Sequence, residues 1–337
     1  MEMLRRIGPE SERTGDLPLD RPPTLAESLD YCRGLATTHY ENFSVLTSLV
    51  PEQLRDHFAA VYAFCRWSDD LGDETGSDQL ARERSEYLLA WWGRGLENCY
   101  AGRGGVQSSG GAGPVMHPVY IALQETFRAH PALPVQPFQD LIAAFVQDQR
   151  VTRYQTWDQV LDYCKRSANP VGRIVLALGG YADTPENAER YAMSDATCTA
   201  LQLINFWQDV RRDLIERDRV YIPALDTGVS ADMLRRWADR PEDPGCRVPY
   251  ILAVRPLVER TAELFNRGRP LPGLLNSELS PVVRLFGAGG EAILSAVEHI
   301  GCATLWDRPV IAPHRKMWLV ARAWLGSRLH RAALKAP

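Results

Sequence analysis

Two acidic clusters, about 135 residues apart, carry the strongest chemical signal in this sequence of 337 residues. The first is Asp69-Asp70-Leu71-Gly72-Asp73-Glu74, and the second spaces Gln202, Asn205, Asp209 and Asp213 at intervals of three and four. Each cluster follows a run that is nearly free of charge, residues 57–67 and 196–208, and such runs are typical of buried helices. Carboxylates at the ends of buried helices repel one another unless something positive lies between them.

The spacing predicts that each cluster lies along one stripe of a helix. The first stripe also carries Arg66, one turn before the aspartates, and Tyr62, two turns before them. Oxygen ligands without His or Cys favour Mg²⁺, Mn²⁺ or Ca²⁺ over zinc. Mg²⁺ prefers a few carboxylates together with phosphate and water, so the residues favour Mg²⁺ ions that hold a diphosphate at the mouth of an apolar cavity. The alternative is two ordinary acidic helix faces, which is a plausible reading of either cluster alone.

The composition is that of a globular protein with a sizeable core, with 45% hydrophobic and 24% charged residues. The net charge of -4 disfavours nucleic acid as the main partner. The seven cysteines form no CxxC pair, which indicates reduced core cysteines and a cytoplasmic protein. We expect no secretory signal and no membrane span, because no uncharged apolar run is long enough.

Residues 1–23 are predicted to be a disordered leader, and residues 24–332 one helical domain interrupted by a Gly-rich loop at 101–114. Thr24 and Glu27 form a capping box that opens the first helix. Alternating strand patterns are nearly absent. Helical patterns cover roughly 24–38, 51–75, 78–100, 115–129, 136–149, 156–180, 184–215, 230–238, 247–268, 280–300 and 313–332.

These motifs resemble those of the squalene/phytoene synthases. The stretch from Tyr62 to Asp70, followed by Asp73, is similar to the first aspartate motif of that family. The stretch from Asn205 to Asp213, continued by Arg219-Val220-Tyr221-Ile222-Pro223, is similar to the second. The resemblance extends from about residue 25 to 309. It implies an all-α isoprenoid synthase fold, a single helical domain around a central apolar cavity, with Mg²⁺ bound by both motifs.

Three further segments narrow the resemblance to the bacterial hydroxysqualene synthases of hopanoid biosynthesis: residues 39–43 (HYENF), 163–172 (YCKRSANPVG) and 205–209 (NFWQD). The condensing relatives usually carry valine-alanine-glycine in place of Ser167-Ala168-Asn169. They also carry a late tyrosine that touches diphosphate, which aligns with Gly290 here, and often a phosphate-binding lysine in place of Glu41. The last two departures, at Gly290 and Glu41, disfavour the binding of two farnesyl diphosphates at once and do not conflict with a single diphosphate substrate.

The resemblance assigns roles to individual residues. The metal ligands would be Asp69, Asp70, Asp73, Asn205, Asp209 and Asp213, and these would neutralise the diphosphate of presqualene diphosphate through Mg²⁺. Arg66 would bind a phosphate oxygen, with an intrahelical ion pair to Asp70 as the alternative. Tyr62 would donate a hydrogen bond to phosphate. The substrate-binding set would be His39, Tyr40, Asn42, Phe43, Tyr163, Asn169, Gly172, Gln202, Phe206, Arg219 and Tyr221.

After ionisation, an aromatic and apolar wall protects the cation from stray water, and Phe43, Tyr163, Leu203 and Phe206 are candidates for it. Capture of the cation by one water gives hydroxysqualene, and either Asn169 or Tyr40 with Glu41 places that water. Hydride quenching remains open, although the Gly287-x-Gly289-x-x-Ala292 pattern lies in a helical context, which disfavours dinucleotide binding there.

Other functions stay open at this stage. One is the condensation of two farnesyl or geranylgeranyl diphosphates to presqualene diphosphate, squalene or phytoene. A head-to-tail chain elongator is less favoured, because it needs a second Asp-Asp-x-x-Asp motif. A non-catalytic helical scaffold or divalent-ion buffer represents another class. The basic, Trp-rich and Leu-rich stretch 314–331 predicts an amphipathic closing helix, or peripheral contact with the inner membrane.

Overall fold

The structure, a computed structural model, describes residues 23–38, 49–73, 78–102 and 117–310. Within these ranges the chain is helical and contains no strand, and one isolated parallel bridge joins Arg153 to Val220. The α-helices are α1 (Leu25–Thr38), α2 (Arg55–Asp73), α3 (Gln79–Ala101), α4 (Pro118–Ala129), α5 (Gln136–Asp148), α6 (Trp157–Ser167), α7 (Asn169–Leu178), α8 (Ala188–Gln208), α9 (Val210–Glu216), α10 (Ala224–Thr227), α11 (Ala231–Ala238), α12 (Pro244–Gly268) and α13 (Ser280–His299). Short 3₁₀ turns precede α2, α8 and α13.

Contacts divide the chain into two compact units. The first unit holds the residues up to Arg150 together with Ile174–Ala182, and the second holds Val151–Arg173 and the residues from Asp183 onward. The first aspartate motif therefore belongs to the first unit, and the second motif belongs to the second. The prediction of a single domain over 24–332 stays a prediction.

In the first unit, helices α1 to α5 pack around a core of aromatic side chains. Trp92 is fully buried, and its ring lies 5.8 Å from the rings of both Phe64 and Trp67. The indole N–H of Trp92 donates to the Ser68 hydroxyl over 3.0 Å, so this buried donor is satisfied. Phe64, Trp67 and Ser68 all lie on α2, directly before Asp69 and Asp70. The core thus fixes the helix that carries the first motif.

In the second unit, α8 is the central helix, and it packs against α6, α12 and α13. Its runs of small and apolar residues allow this close contact on several sides. Trp207, near the end of α8, is fully buried, and its indole N–H donates to the Thr261 hydroxyl of α12 over 2.9 Å. The second motif begins on this buried helix, so its position is set by the core.

Several sequence predictions of local structure are confirmed. The backbone N–H of Thr24 donates to the Glu27 carboxylate over 2.7 Å, and the Glu27 N–H donates to the Thr24 hydroxyl over 3.3 Å, as a capping box requires. All seven cysteines are free. The predicted helix 313–332 and the predicted leader lie outside the described residues.

Two predicted helices were too long. The pattern 156–180 is broken at Ala168, because a continuous helix would drive the ring of Pro170 into the carbonyl of Arg166. The pattern 184–215 is broken at Asp209, whose φ of -104° and ψ of 18° leave the helical region. The predicted start of the helix 247–268 was too late, since Asp243 caps α12 by accepting from the Gly245 N–H over 2.9 Å. The short helix α10 was not predicted.

Two glycines of α13 lie in opposite surroundings. A Cβ atom on Gly290 would lie 2.4 Å from Cδ2 of Leu201 and 2.6 Å from Cζ of Phe265, which are distances that packed atoms do not reach. A Cβ atom on the neighbouring Gly289 would have no heavy atom within 4 Å. Gly290 is therefore needed for close packing of α13 against α8 and α12, and Gly289 is not.

We expect Gly290→Ala to lower the free energy of unfolding by about 1–3 kcal/mol, which is the usual cost of overpacking. Alanine's higher helix propensity offsets part of this loss. Gly289→Ala should raise it by up to about 1 kcal/mol, because only the propensity changes. Urea unfolding of both variants measures the difference. Equal shifts in the same direction would contradict the packing described for Gly290.

Candidate active site

The first motif lies in the last two turns of α2. The Asp70 carboxylate is buried and accepts a short hydrogen bond from Nη2 of Arg66, while the Asp69 carboxylate is 43% exposed and lies 3.4 Å from Nη1 of the same guanidinium. The intrahelical ion pair that the sequence left open for Arg66 is therefore present. One guanidinium joins two carboxylates and reduces their repulsion.

Two side chains hold the end of α2: one lies on α3, and the other follows the last residue of α5. The carbonyl of Gly72, which lies in the last turn of the helix, accepts from the Gln149 amide over 3.0 Å and from the Ser85 hydroxyl over 3.4 Å. The last carbonyls of a helix have no partner within it, so these donors satisfy one of them. No pattern in the sequence marks Gln149 or Ser85 for this role. Both fix the backbone that carries the aspartates.

The second motif spans the junction of α8 and α9. The N–H of Asp209 still donates to the Asn205 carbonyl over 3.0 Å, and the N–H of Asp213 to the Asp209 carbonyl over 2.9 Å. The helical hydrogen bonds thus continue through the break, and the predicted stripe is kept. Asn205 is exposed, Gln202 is half-buried, and Asp213 is buried.

The electrostatics of the second motif are set by the burial of Asp213 and by the charges around it. Burial raises the pKa of the Asp213 carboxyl to about 6, against the lowering effect of Arg217, and the charge of Asp209 raises it further. Arg219 and Arg212 lower it by smaller amounts. A buried carboxyl with a raised pKa is poised to accept a cation.

Arg308 is a residue of this site that the sequence analysis missed. Its Nε lies 2.5 Å from Oδ1 of Asp209, and its Nη2 lies 3.3 Å from Oδ2, so the guanidinium grips the carboxylate as a fork. Arg212 adds a third nitrogen at 3.7 Å. No periodicity connects Arg308 to the motif, because it follows α13 in an irregular segment 99 residues further along the chain. Only tertiary structure reveals the contact.

Residues 152 and 153 make hydrogen bonds to the loop that follows α9. The N–H of Arg219 donates to the Asp213 carbonyl over 2.9 Å, which ties Arg219 to the second motif. Asp218 adopts a positive φ of 50°, and its carboxylate accepts from both Arg153 and Arg235. The N–H of Val220 donates to the carbonyl of residue 152 over 2.9 Å. Arg153 and Asp218, which the sequence analysis missed, thus position Arg219.

Four aromatic rings cluster beside the second motif. Phe206 and Tyr221 stack face to face, with centroids 3.6 Å apart and planes at 5°. The Tyr163 ring lies 6.0 Å from Phe206 and 5.9 Å from Tyr221, and Tyr154, which was not predicted, lies 5.5 Å from Tyr221. Three predicted substrate-binding residues are therefore brought together in one unit. Leu203, also a candidate, is fully buried one turn earlier on α8.

The α6–α7 junction packs against α8. The Thr199 hydroxyl donates to Oδ1 of Asn169 over 2.8 Å, and both side chains are buried. A Cβ atom on Gly172 would lie 2.3 Å from the Ser194 hydroxyl oxygen and 2.6 Å from the Cys198 sulfur. Gly172 thus serves the close approach of α7 to α8. Its predicted contact with substrate stays a prediction.

The predicted site residues fall into three groups. Tyr62, Arg66, Asp69, Asp70 and Asp73 lie on α2 in the first unit. The second unit holds Tyr163, Asn169, Gly172, Gln202, Asn205, Phe206, Asp209, Asp213, Arg219 and Tyr221. His39, Tyr40, Glu41, Asn42 and Phe43 lie outside the described residues. That the two motifs share one site stays a prediction.

A pocket of about 270 Å³ lies in the second unit between α8, α12 and α13. Phe265, Val283 and Leu285 are among its apolar lining residues, and Arg269 and Glu291 pair across its rim at 2.8 Å. Its lining residue on α8, Thr197, precedes Asp209 by twelve positions, or roughly 18 Å of helix. Gly287, which also lines it, and Gly289 lie within the continuous helix α13.

Comparison with known proteins agrees with the motifs. The family described as squalene/phytoene synthase matches residues 36–316. A hydroxysqualene synthase of Rhodopseudomonas palustris is 33% identical over 234 residues, covering 68% of this chain and 70% of its own. A phytoene synthase of Arthrospira platensis is 32% identical over 231 residues, covering 65% and 69%.

Solved structures are similar over most of the chain. The crystal structure of squalene synthase HpnC from Alicyclobacillus acidocaldarius aligns with a TM-score of 0.69 and 39% identity, covering 85% of this chain and 97% of the other. A dehydrosqualene synthase aligns with a TM-score of 0.70 at 22% identity, covering 90% and 98%, which supports the fold alone. The two aspartate motifs, the all-α architecture and these matches agree: the chain belongs to the squalene/phytoene synthase family, a family of enzymes with the isoprenoid synthase fold.

Proposed function

We propose that this enzyme converts presqualene diphosphate to hydroxysqualene, in a Mg²⁺-dependent reaction that serves squalene and hopanoid biosynthesis. The observation that carries this proposal is common to both motifs, where each aspartate pair is accompanied by guanidinium groups. Arg66 lies on Asp69 and Asp70, and Arg308 lies on Asp209. Carboxylates suit a divalent cation, and guanidinium forks suit phosphate oxygens, so the combination suits a metal diphosphate.

The donors at both motifs fit Mg²⁺. Their ligating atoms are carboxylate and amide oxygens, which are the ligands that Mg²⁺ prefers. Burial raises the pKa of the Asp213 carboxyl to about 6, against the lowering effect of Arg217. Within the described ranges, no three His, Cys, Asp or Glu side chains form a preorganised metal site. That suits an ion that takes part of its coordination from substrate phosphate and water. When bound, Mg²⁺ would neutralise the departing diphosphate.

The protein's own groups have separate tasks in this scheme. Arg66 and Arg308 would each exchange a carboxylate partner for phosphate oxygens. Arg219 is held at the second motif, where its backbone N–H donates to the Asp213 carbonyl. The ring cluster of Tyr163, Phe206 and Tyr221 supplies π faces that stabilise the carbocation left after ionisation. Tyr62 on α2 donates to phosphate.

The outcome proposed for the cation is capture by water. Similarity to two hydroxysqualene synthases supports water capture. One is the Rhodopseudomonas palustris protein described above, and the other is a Zymomonas mobilis protein that is 33% identical and aligns over 55% of each chain. Gly290 supports a related part of the proposal, namely a single diphosphate substrate rather than the condensation of two. The condensing relatives' late tyrosine aligns there, and even a Cβ atom would overlap Leu201 and Phe265. A tyrosine at this position requires α13 to pack differently.

A second candidate function is the condensation of two prenyl diphosphates, as the similarity to phytoene synthases suggests. Incubation with radiolabelled farnesyl diphosphate alone separates the two functions. Turnover of farnesyl diphosphate without a partner enzyme favours condensation. If the enzyme does not turn over farnesyl diphosphate but does turn over presqualene diphosphate, the result favours the proposal.

Membership of an enzyme family disfavours the scaffold alternative, and no observation favours the head-to-tail elongator.

None of the helices in the described ranges is both long and apolar enough to cross a bilayer. We propose that the enzyme is cytoplasmic and meets its apolar product at the surface of the inner membrane through the basic stretch 314–331. That stretch lies outside the described residues, and its sequence pattern alone supports the contact.

Asp209→Ala should lower turnover of presqualene diphosphate at least about a hundredfold, because it removes charge stabilisation of the leaving group. The free energy of unfolding should change by less than about 1 kcal/mol. The lost ion pair involves Arg308, whose side chain is 50% exposed, and such pairs are weak, while repulsion of Asp213 is relieved.

The matched control is Asp239→Ala, which removes an 85% exposed carboxylate paired with Arg211 in the same unit and should leave turnover unchanged. Diphosphate release and urea unfolding provide the two measurements. Near-normal turnover by Asp209→Ala would remove the second motif from the mechanism.

The reaction run in ¹⁸O-labelled water should place the label in the hydroxyl group of the product, without any need for NADPH. The oxygen comes from water in the proposed mechanism, and no electron is transferred. Mass spectrometry of the product, with and without NADPH, tests both points. Unlabelled squalene, or a hydrocarbon formed directly from a prenyl diphosphate, would place this chain with the condensing or reducing members.

A further inference from the structure

The break between α6 and α7 carries polar side chains that the proposed mechanism has not used. Ser167 is the last residue of α6, Ala168 leaves the helical region with φ of -125° and ψ of -51°, and Asn169 begins α7. The break turns these neighbours away from a regular helical surface. Of the two polar residues, Asn169 lies against the buried helix α8, where its side chain accepts a hydrogen bond from Thr199.

The Ser167 hydroxyl oxygen is buried, and within the described part of the chain it has no hydrogen-bond partner. A serine near the end of a helix commonly bonds to the carbonyl four residues earlier, and here that bond is not made. Leaving a buried hydroxyl unsatisfied costs about 1–3 kcal/mol. Such a group therefore points to a small polar partner that is bound in solution, and water is the smallest.

Asn169 is 7% exposed, and its amide has a fixed orientation. Its Oδ1 accepts from the Thr199 hydroxyl over 2.8 Å. Because Oδ1 of Asn169 already accepts from Thr199 on α8, the two N–H groups on its Nδ2 are available to donate to a different acceptor. Ser167 and Asn169 thus offer complementary groups, since the hydroxyl can accept a hydrogen bond and the amide nitrogen can only donate.

Helical geometry places this polar pair at the edge of the ring cluster. Ser167 lies one turn after Tyr163 on the same face of α6, and the Tyr163 ring packs near Phe206 and Tyr221. Thr199 and Phe206, seven residues apart, share one face of α8. The same helix ends at Asp209 of the second motif. Polar groups next to stacked rings would border the region where a carbocation is stabilised.

We infer that Ser167 and Asn169 hold the water that captures the cation, an inference that rests on the proposed function. The Nδ2–H of Asn169 donates to the water oxygen, and the Ser167 hydroxyl accepts one of its hydrogens. The remaining lone pair forms the C–O bond to the cationic carbon. The proton released from the resulting oxonium passes to the diphosphate that left in the first step, so no oxidant or reductant is needed. Thr199 is a positioning residue that acts through Asn169.

The test uses the full chain with presqualene diphosphate and Mg²⁺ in ¹⁸O-labelled water. Two quantities are measured: the rate of diphosphate release, and the ratio of labelled alcohol to all other products. Ser167→Ala and Asn169→Leu each remove one contact to the water. We expect an alcohol ratio about tenfold lower in each variant, as the loss of one positioning hydrogen bond predicts. The rate of diphosphate release is measured to establish that ionisation still takes place.

Ser194→Ala is the matched control, because it deletes another buried hydroxyl between α7 and α8. It should keep both the rate and the product ratio. Thr199→Val should shift the ratio in the same direction as Asn169→Leu, and Thr199→Ser, which retains the hydroxyl, should restore it. A general structural disturbance would lower the rate and stability without this pattern of products.

An unchanged alcohol ratio in both Ser167→Ala and Asn169→Leu, with wild type forming labelled alcohol, would overturn this inference and leave the proposed function intact. If Asn169→Leu does not fold, Thr199→Val and Ser167→Ala decide the question, and an unchanged ratio in both overturns it. Wild-type enzyme that releases diphosphate but forms only hydrocarbon would overturn the proposed function and this inference together.

Discussion

The burial of carboxylates at the ends of apolar helices is the constraint on which the rest of this structure depends. Asp70 and Asp213 are both buried, and each has another carboxylate beside it. Water cannot screen these charges well, so the protein surrounds them with guanidinium groups instead. Arg66 serves the first motif, and Arg308, Arg212, Arg217 and Arg219 serve the second. The same groups that stabilise the metal-free protein are suited to hold a diphosphate.

That constraint explains why several contacts hold the ends of the helices that carry the two motifs. The Trp92 ring of α3 stacks on Phe64 of α2, and the Gln149 amide donates to the carbonyl of Gly72 in the final turn of α2. In the second unit, α8 is enclosed by three helices, and the Asp218 clamp fixes the loop that bears Arg219. Without these contacts, repulsion between the neighbouring carboxylates of each motif would favour local unfolding of the helix ends. Packing therefore preserves a charge arrangement that is unfavourable until a cation and an anion bind.

Much of this arrangement could be predicted from the sequence, because helical periodicity is local. The stripe of Asn205, Asp209 and Asp213 follows from spacing alone, and it survives the break at Asp209 since the hydrogen bonds continue. The partners supplied by irregular segments could not be predicted. Arg308 and Arg153 reach their carboxylates through tertiary structure, and no local pattern marks them. The break before Asn169 was likewise missed, although Pro170 was a visible signal for it.

The central claim is that two motifs in different compact units bind one diphosphate through shared metal ions. A double-mutant cycle with Asp70→Asn and Asp209→Asn tests it directly, with calorimetric binding of inorganic diphosphate in saturating Mg²⁺ as the readout. If both aspartates act on one metal diphosphate, the two losses in binding free energy should be non-additive by at least about 1 kcal/mol. Losses that add within about 0.5 kcal/mol would show independent sites and contradict the account.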